Sequence, residues 1–344
     1  MPDRGALTYV VEDFLPLKGR NLYERRMRVH QQWWGWRRLW RKMGQPTPRL
    51  QFPVLTASEQ RDPATSNFLS ASIHRLATRT LGLASFVHFN HLLSSMPMAI
   101  NLFGVLVDTS TPFGESTPLD GVFGAPLRTP FAPSARSHQL VSGLLGRTVE
   151  VLRVDFEIPG RLRLPRVGHP LLDQTSIDVL VEFREPAGLG ILAIETKLTE
   201  ALSNGAELMD ATRRYRALFD SSQSPFSGPL SLEVERELAG GKLVQWARNQ
   251  LLAFGVSRAG GYASHSYWVV FPSAHRDAAK AAQVYSTRLK SPKAVFAALT
   301  VEFIAETWSS LLTSPTERDW YNAFRERYLA FEQSELLWLA LTER

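Results

Sequence analysis

Apolar and polar residues alternate with a period of two in the middle of the chain and recur with a helical period on either side. Residues 148–158, 175–183 and 190–197 read as strands, with turn chemistry at Pro159-Gly160 and from Pro186 to Gly190. A short apolar run at 267–271 reads as a further buried strand. Helical patterns cover 19–44, 64–81, 137–146, 232–254 (broken at Gly240-Gly241), 276–289 and 316–341. Residues 108–136, rich in Pro, Gly, Ser and Thr, predict a long loop. The order is helices, three strands, helix, strand, helix, which predicts a mixed α/β (α+β) architecture.

The stretch 80–107 carries no Asp, Glu, Lys or Arg, yet it is no membrane span. His88, Asn90, His91, Ser94, Ser95, Pro97 and Asn101 make it too polar, and it reads as buried core. The first twenty residues hold no unbroken apolar stretch of the secretory kind, so no export signal is expected. With 344 residues, 44% of them hydrophobic, the chain can build one large domain or two modest ones. It has no cysteine. That excludes disulfides and thiolate metal sites and fits a cytoplasmic location.

Charge changes the picture at the N-terminus. Residues 1–50 hold eleven Lys or Arg against four Asp or Glu, an excess larger than the net +6 of the whole chain. Most of it lies in the tryptophan-rich pattern at 19–44. On a helix, Val29, Trp33, Trp36, Trp40 and Met43 share one stripe, while Trp34, Arg37, Arg38, Arg41 and Lys42 cover the adjacent arc. The expectation is a helical extension, 1–50, whose aromatic stripe packs on the body and whose Arg37, Arg38, Arg41 and Lys42 contact phosphates. The competing reading is a packing helix with solvated arginines.

The strands carry the chemistry. The chain has seven lysines against thirty-two arginines, and one of those lysines, Lys197, stands two residues after Glu195 at the end of an apolar run. Alternate strand residues share a face, so Glu195 and Lys197 lie about 7 Å apart on one side. If 175–183 and 190–197 form a hairpin, Asp178 faces Glu195 across the ladder. Two facing carboxylates repel unless a cation lies between them. Oxygen ligands of this kind suit Mg²⁺, with Mn²⁺ as a substitute. A lysine beside such an ion can orient or activate a water for in-line attack on phosphorus.

The sequence TSIDVLVEF, then sixteen residues between Asp178 and Glu195, then IETKLTE, resembles the active-site pattern of the PD-(D/E)XK nuclease superfamily. The stretches 91–104, 154–161 and 245–254 resemble a bacterial branch of restriction-type endonucleases within it. The resemblance covers about 56–300 and leaves out the tryptophan-rich segment. It implies a restriction-endonuclease-like core, a mixed sheet of four to five strands flanked by helices. It also implies that Asp178 and Glu195 hold the metal with the backbone carbonyl of Thr196, and that Lys197 orients the attacking water. The resemblance further implies Glu157 as an additional acidic ligand and Gln250 as a helix residue near the site. Ile177 stands where the superfamily name has proline.

No G-x-x-x-x-G-K-[ST] and no G-x-S-x-G occurs, and His88 and His91 lack a third ligand nearby. The reading is a Mg²⁺-dependent deoxyribonuclease of restriction, phage defence or repair. Its nuclease-like domain spans 51–344, with a core at about 137–290. Its partner is DNA, duplex favoured, with a homodimer or partner defence subunit and no membrane. The alternatives are a ribonuclease with the same site, and a nuclease-like fold that binds DNA or protein without cutting.

Overall fold

The computed structural model describes residues 21–40, 55–63, 66–81, 91–113, 117–123, 131–163, 170–200, 202, 215–228, 231–240 and 243–342. The chain divides into two compact units, residues 105–307 and residues 1–104 with 308–344. The boundary differs from the expected one at residue 50. The basic helix is no separate extension, because it belongs with the segments up to 104 and after 307.

The described elements, in chain order, begin with helices α1 (Leu22–Gly35), α2 (Ala57–Arg61), α3 (Ala71–Leu81) and α4 (Ser95–Phe103). Then come β1 (Val107–Pro112), α5 (Pro118–Phe123), β2 (Phe131–Pro133), α6 (Ser137–Leu145), β3 (Glu150–Arg163), β4 (Pro170–Glu185) and β5 (Gly188–Thr196). They are followed by α7 (Leu232–Gly240), α8 (Val244–Gly260), β6 (Ser264–Phe271), α9 (Arg276–Ser286), α10 (Pro292–Val295) and β7 (Phe296–Thr300). The last are α11 (Val301–Ser309), α12 (Pro315–Tyr328) and α13 (Glu335–Thr342).

In the unit 105–307, five strands form a mixed sheet in the order β3-β4-β5-β6-β7. β3, β4 and β5 are an antiparallel meander, and β6 and β7 add in parallel. The β4–β5 turn is tight, with Glu185 paired to Gly188. Gly188 leaves it at φ 127°, in a region that glycine favours. The expected turn at Pro159-Gly160 is not formed. β3 runs through it with a register shift between Pro159 and Arg161. An edge strand tolerates the missing proline N–H at such a bulge. The expected loop at 108–136 contains β1 paired with β2, and α5.

The inner strands are buried on both faces, which explains their nearly continuous apolar sequence. α8 packs across β3, β4, β5 and β6. Leu252 and Val256 of this helix join Leu180, Ile191 and Ala193 of the sheet in one apolar cluster. Near the sheet edge, the buried Arg153 guanidinium ties β3 to α5 through Asp155 at 2.5 Å and Asp120 at 2.9 Å.

In the other unit, Asn21 caps α1 by accepting from the Glu24 N–H at 2.8 Å. The helix is buried almost all round from Val29 to Gly35, not along one stripe. Trp34, expected among the arginines, is 4% exposed, while Trp33 and Trp36 are half-buried. The reason is packing on two sides. Trp34 clusters with Leu55 and Leu92, and Val29 with Leu337 and Trp338. The Arg327 guanidinium lies 4.3 Å above the Trp34 ring. Beyond Gly35 the backbone widens into a π-helical turn, Trp36–Trp40, which shifts the phase of every later side chain.

Candidate active site

The apolar alternation of β4 and β5 breaks at one end of their hairpin. Val179 pairs with Ile194, so the next step of the same register sets Asp178 opposite Glu195. On the other side Phe156 pairs with Val179 and Ile158 with Ile177, which sets Glu157 across from Asp178. Three carboxylates thus fall in a row over three strands. Glu157 has φ 52°, a left-handed conformation that side-chain-bearing residues rarely adopt. Backbone strain of this kind concentrates at functional sites.

Each carboxylate is held by named donors. Asp178 Oδ2 accepts from the Thr196 N–H and from the Thr196 hydroxyl, both at 2.7 Å. Glu195 Oε1 receives the Lys197 ammonium at 2.6 Å and the Gln245 amide at 2.7 Å. Glu195 Oε2 receives the Asn249 amide at 2.7 Å. Gln245 closes a ring by accepting from Lys197 Nζ at 2.8 Å. Ser176 donates its hydroxyl to Glu157 Oε2 at 3.0 Å. Past the strand end, Glu200 turns back to accept from the Leu198 and Thr199 N–H groups, at 2.8 and 3.1 Å.

Burial sets the protonation of the cluster. Glu195 and Lys197 are 1% and 5% exposed. Burial, reinforced by the charge of Asp178 and opposed by Lys197, pushes the Glu195 carboxyl up to about 8. Burial also raises Asp178 against the pull of Lys197 and of the Thr196 hydrogen bonds. Glu157 is raised well above the usual carboxylate range by burial and by Asp178. Burial alone would lower the Lys197 ammonium. The charges of Glu195, Asp178 and Glu200 outweigh it and hold the group above its ordinary value.

These residues fit a divalent cation of the hard class. The donor set is all oxygen, and buried carboxylates resist ionisation until positive charge arrives. Among the described residues no three acidic or histidine groups converge to hold an ion by themselves. A hard divalent ion that uses one or two carboxylates and completes its shell with water and phosphate oxygens would fit such a set.

Gln250, expected near the site, gives its amide to a different partner. It is fully buried, and its amide donates to the Val295 carbonyl at 3.2 Å. α8 turns Gln245 and Asn249 to Glu195 instead, residues one helical turn apart. Neither is singled out by the sequence, where the resemblance points to Gln250. Thr196 donates its N–H and hydroxyl to Asp178, beside the role toward the ion that the resemblance implies for its backbone carbonyl. Arg41, Lys42 and His88 lie outside the described residues, and the ring of His91 accepts from the Leu93 N–H at 3.2 Å.

The chain matches the family model of a PD-(D/E)XK nuclease superfamily family over residues 19–112 and 122–330. The protein belongs to the PD-(D/E)XK nuclease superfamily. The match begins at residue 19 and so takes in the tryptophan-rich helix, which the sequence resemblance left out. PD-(D/E)XK nucleases typically use divalent metals. No curated protein and no solved structure matches the chain. Among the described residues, no helix of this PD-(D/E)XK protein is long and apolar enough to cross a membrane.

Arg37 and Arg38 converge on one carboxylate. Glu326 receives Arg38 at 2.6 Å and Arg37 at 3.6 Å, and Arg37 also donates to Gln333 at 3.2 Å. Arg26 likewise pairs with Glu335. These arginines pin α1 and the π-helical turn after it to the C-terminal helices of the same unit. Each half-exposed pair contributes about 0–1 kcal/mol. Arg37→Gln with Arg38→Gln is expected to lower the melting temperature slightly and to leave the salt dependence of nucleic-acid binding unchanged. A log–log slope flattened by about 0.9 for each lost charge would assign them to phosphate contact.

Proposed function

We propose that the protein is a Mg²⁺-dependent endonuclease that hydrolyses phosphodiester bonds in DNA, in restriction, phage defence or repair. One observation supports this reading above the others. A superfamily nuclease chain brings Asp178, Glu195 and Lys197 together, largely buried, where the β4–β5 pairing ends. Asp178 and Glu195 would hold the ion, with Mn²⁺ as a substitute, and Glu157 lies across the ladder from Asp178. The ion supplies Lewis-acid stabilisation of the charge that builds on the phosphate. Lys197, whose ammonium lies 2.6 Å from Glu195 Oε1, would orient the attacking water beside the carboxylates. Cleavage of duplex DNA with Mg²⁺ and its absence in EDTA test the proposal, and cutting of RNA alone would transfer the same site to a ribonuclease.

The raised carboxyl of Glu195 gives a pH signature. Metal and proton compete for it, so Mn²⁺ affinity is expected to rise about tenfold per pH unit up to about 8 and then level off. The folded value lies above the ordinary 4.5, so the folded state binds the extra proton. The metal-free protein therefore loses stability as pH climbs from about 4.5 to 8. Calorimetric Mn²⁺ titrations and thermal melts at pH 6, 7 and 8 check both trends. Glu195→Gln should flatten the melting trend, and a wild-type protein without either slope would contradict the assignment.

A further inference from the structure

We propose that Asn249 is a positioning residue that fixes the Glu195 carboxylate for metal capture, an inference that rests on the metal-dependent reading above. Asn249 is fully buried in the middle of α8, whose other buried residues are apolar except Gln250 and Ser257. A buried amide there costs stability unless its hydrogen bonds are made. Its Nδ2 makes two, to Glu195 Oε2 at 2.7 Å and to the Ser176 carbonyl at 3.3 Å. Both N–H groups of the amide are thereby used, and the ring of contacts fixes its orientation.

The two bonds join elements that the site needs in register. Ser176 stands on β4 two residues before Asp178, and its hydroxyl holds Glu157 Oε2. One neutral amide therefore links Glu195 on β5 to the strand that carries Asp178 and to the group that holds Glu157. Neutrality matters here. A second lysine at this point would compete with the metal for the carboxylates, whereas an amide donates without cancelling the charge that attracts the ion. The two oxygens of Glu195 also differ. Oε1 is held by Lys197 and by the half-buried Gln245, whereas Oε2 is held by the fully buried Asn249. Asn249 thus holds the Glu195 carboxylate from the oxygen opposite the one held by Lys197 and Gln245.

The test uses the full chain and Mn²⁺ as the probe, with calorimetric binding and plasmid cleavage read side by side. Asn249→Leu keeps the volume without a donor, and Asn249→Ala removes both. Each is expected to weaken Mn²⁺ binding about 10–100-fold and to raise the metal needed for half-maximal cutting in parallel. The cutting rate at saturating Mn²⁺ should stay within a few-fold of wild type. Asn249→Ser, smaller and still able to donate, gives the same comparison if the leucine variant does not fold, with an intermediate loss. Variants that melt lower but bind Mn²⁺ as wild type does would show a merely structural amide and overturn the inference. A wild type that binds Mn²⁺ and cuts nothing would contradict the proposed function alone. A wild type that binds no Mn²⁺ would overturn both.

Discussion

Asp178→Ala or Glu195→Ala is expected to slow cleavage by at least about a thousandfold, because the ion that stabilises the transition state by several kcal/mol loses a ligand. The same substitutions should leave nucleic-acid binding measured in EDTA close to that of wild type. Asp178→Asn separates a site effect from a folding effect. It keeps an acceptor for the Thr196 N–H and hydroxyl, which both lie 2.7 Å from Oδ2, and removes a buried charge that faces Glu195 and Glu157. Without metal it should melt no lower than wild type, since the like-charge repulsion is relieved. Cleavage by Asp178→Asn at the wild-type rate would refute the site.

Lys197→Arg keeps the charge and is expected to lose about 100–10,000-fold in turnover, the range for a group that positions or activates a reacting proton. The ammonium is 2.6 Å from Glu195 Oε1 and 2.8 Å from Gln245 Oε1, in a pocket that leaves the residue 5% exposed. A planar guanidinium cannot occupy that volume without displacing the glutamine or the carboxylate. Binding to substrate in EDTA should change little, because the group is buried away from the surface. An arginine variant with normal turnover would reduce the requirement to charge alone.

Much of the sheet was legible in the sequence because a strand period of two leaves little freedom once the turn is fixed. The tight turn after Glu185 sets the β4–β5 register, and that register alone places Asp178 beside Glu195. The residues from α8 were not legible for the opposite reason. The helix is buried nearly all round, so its apolar pattern sets no phase and does not tell the amide at 250, which the resemblance pointed to, from those at 245 and 249. The contact that separates them runs to strands more than forty residues away in sequence. The same holds for Trp34, whose burial depends on Leu55, Leu92 and the distant Arg327. β7 was missed because a five-residue strand, FAALT, carries too few positions to show any period. At Pro159 the turn chemistry was real, but an edge strand absorbed it as a bulge.

The most direct measurement is incubation of the purified protein with supercoiled plasmid, linear duplex, single-stranded DNA and RNA, each with Mg²⁺ and with EDTA, beside Asp178→Ala. The account predicts that wild type converts supercoiled plasmid to cut forms with Mg²⁺ and leaves it intact in EDTA, and that the variant is inert in both. Intact substrates in every wild-type lane, or cutting by Asp178→Ala equal to that of wild type, would contradict it.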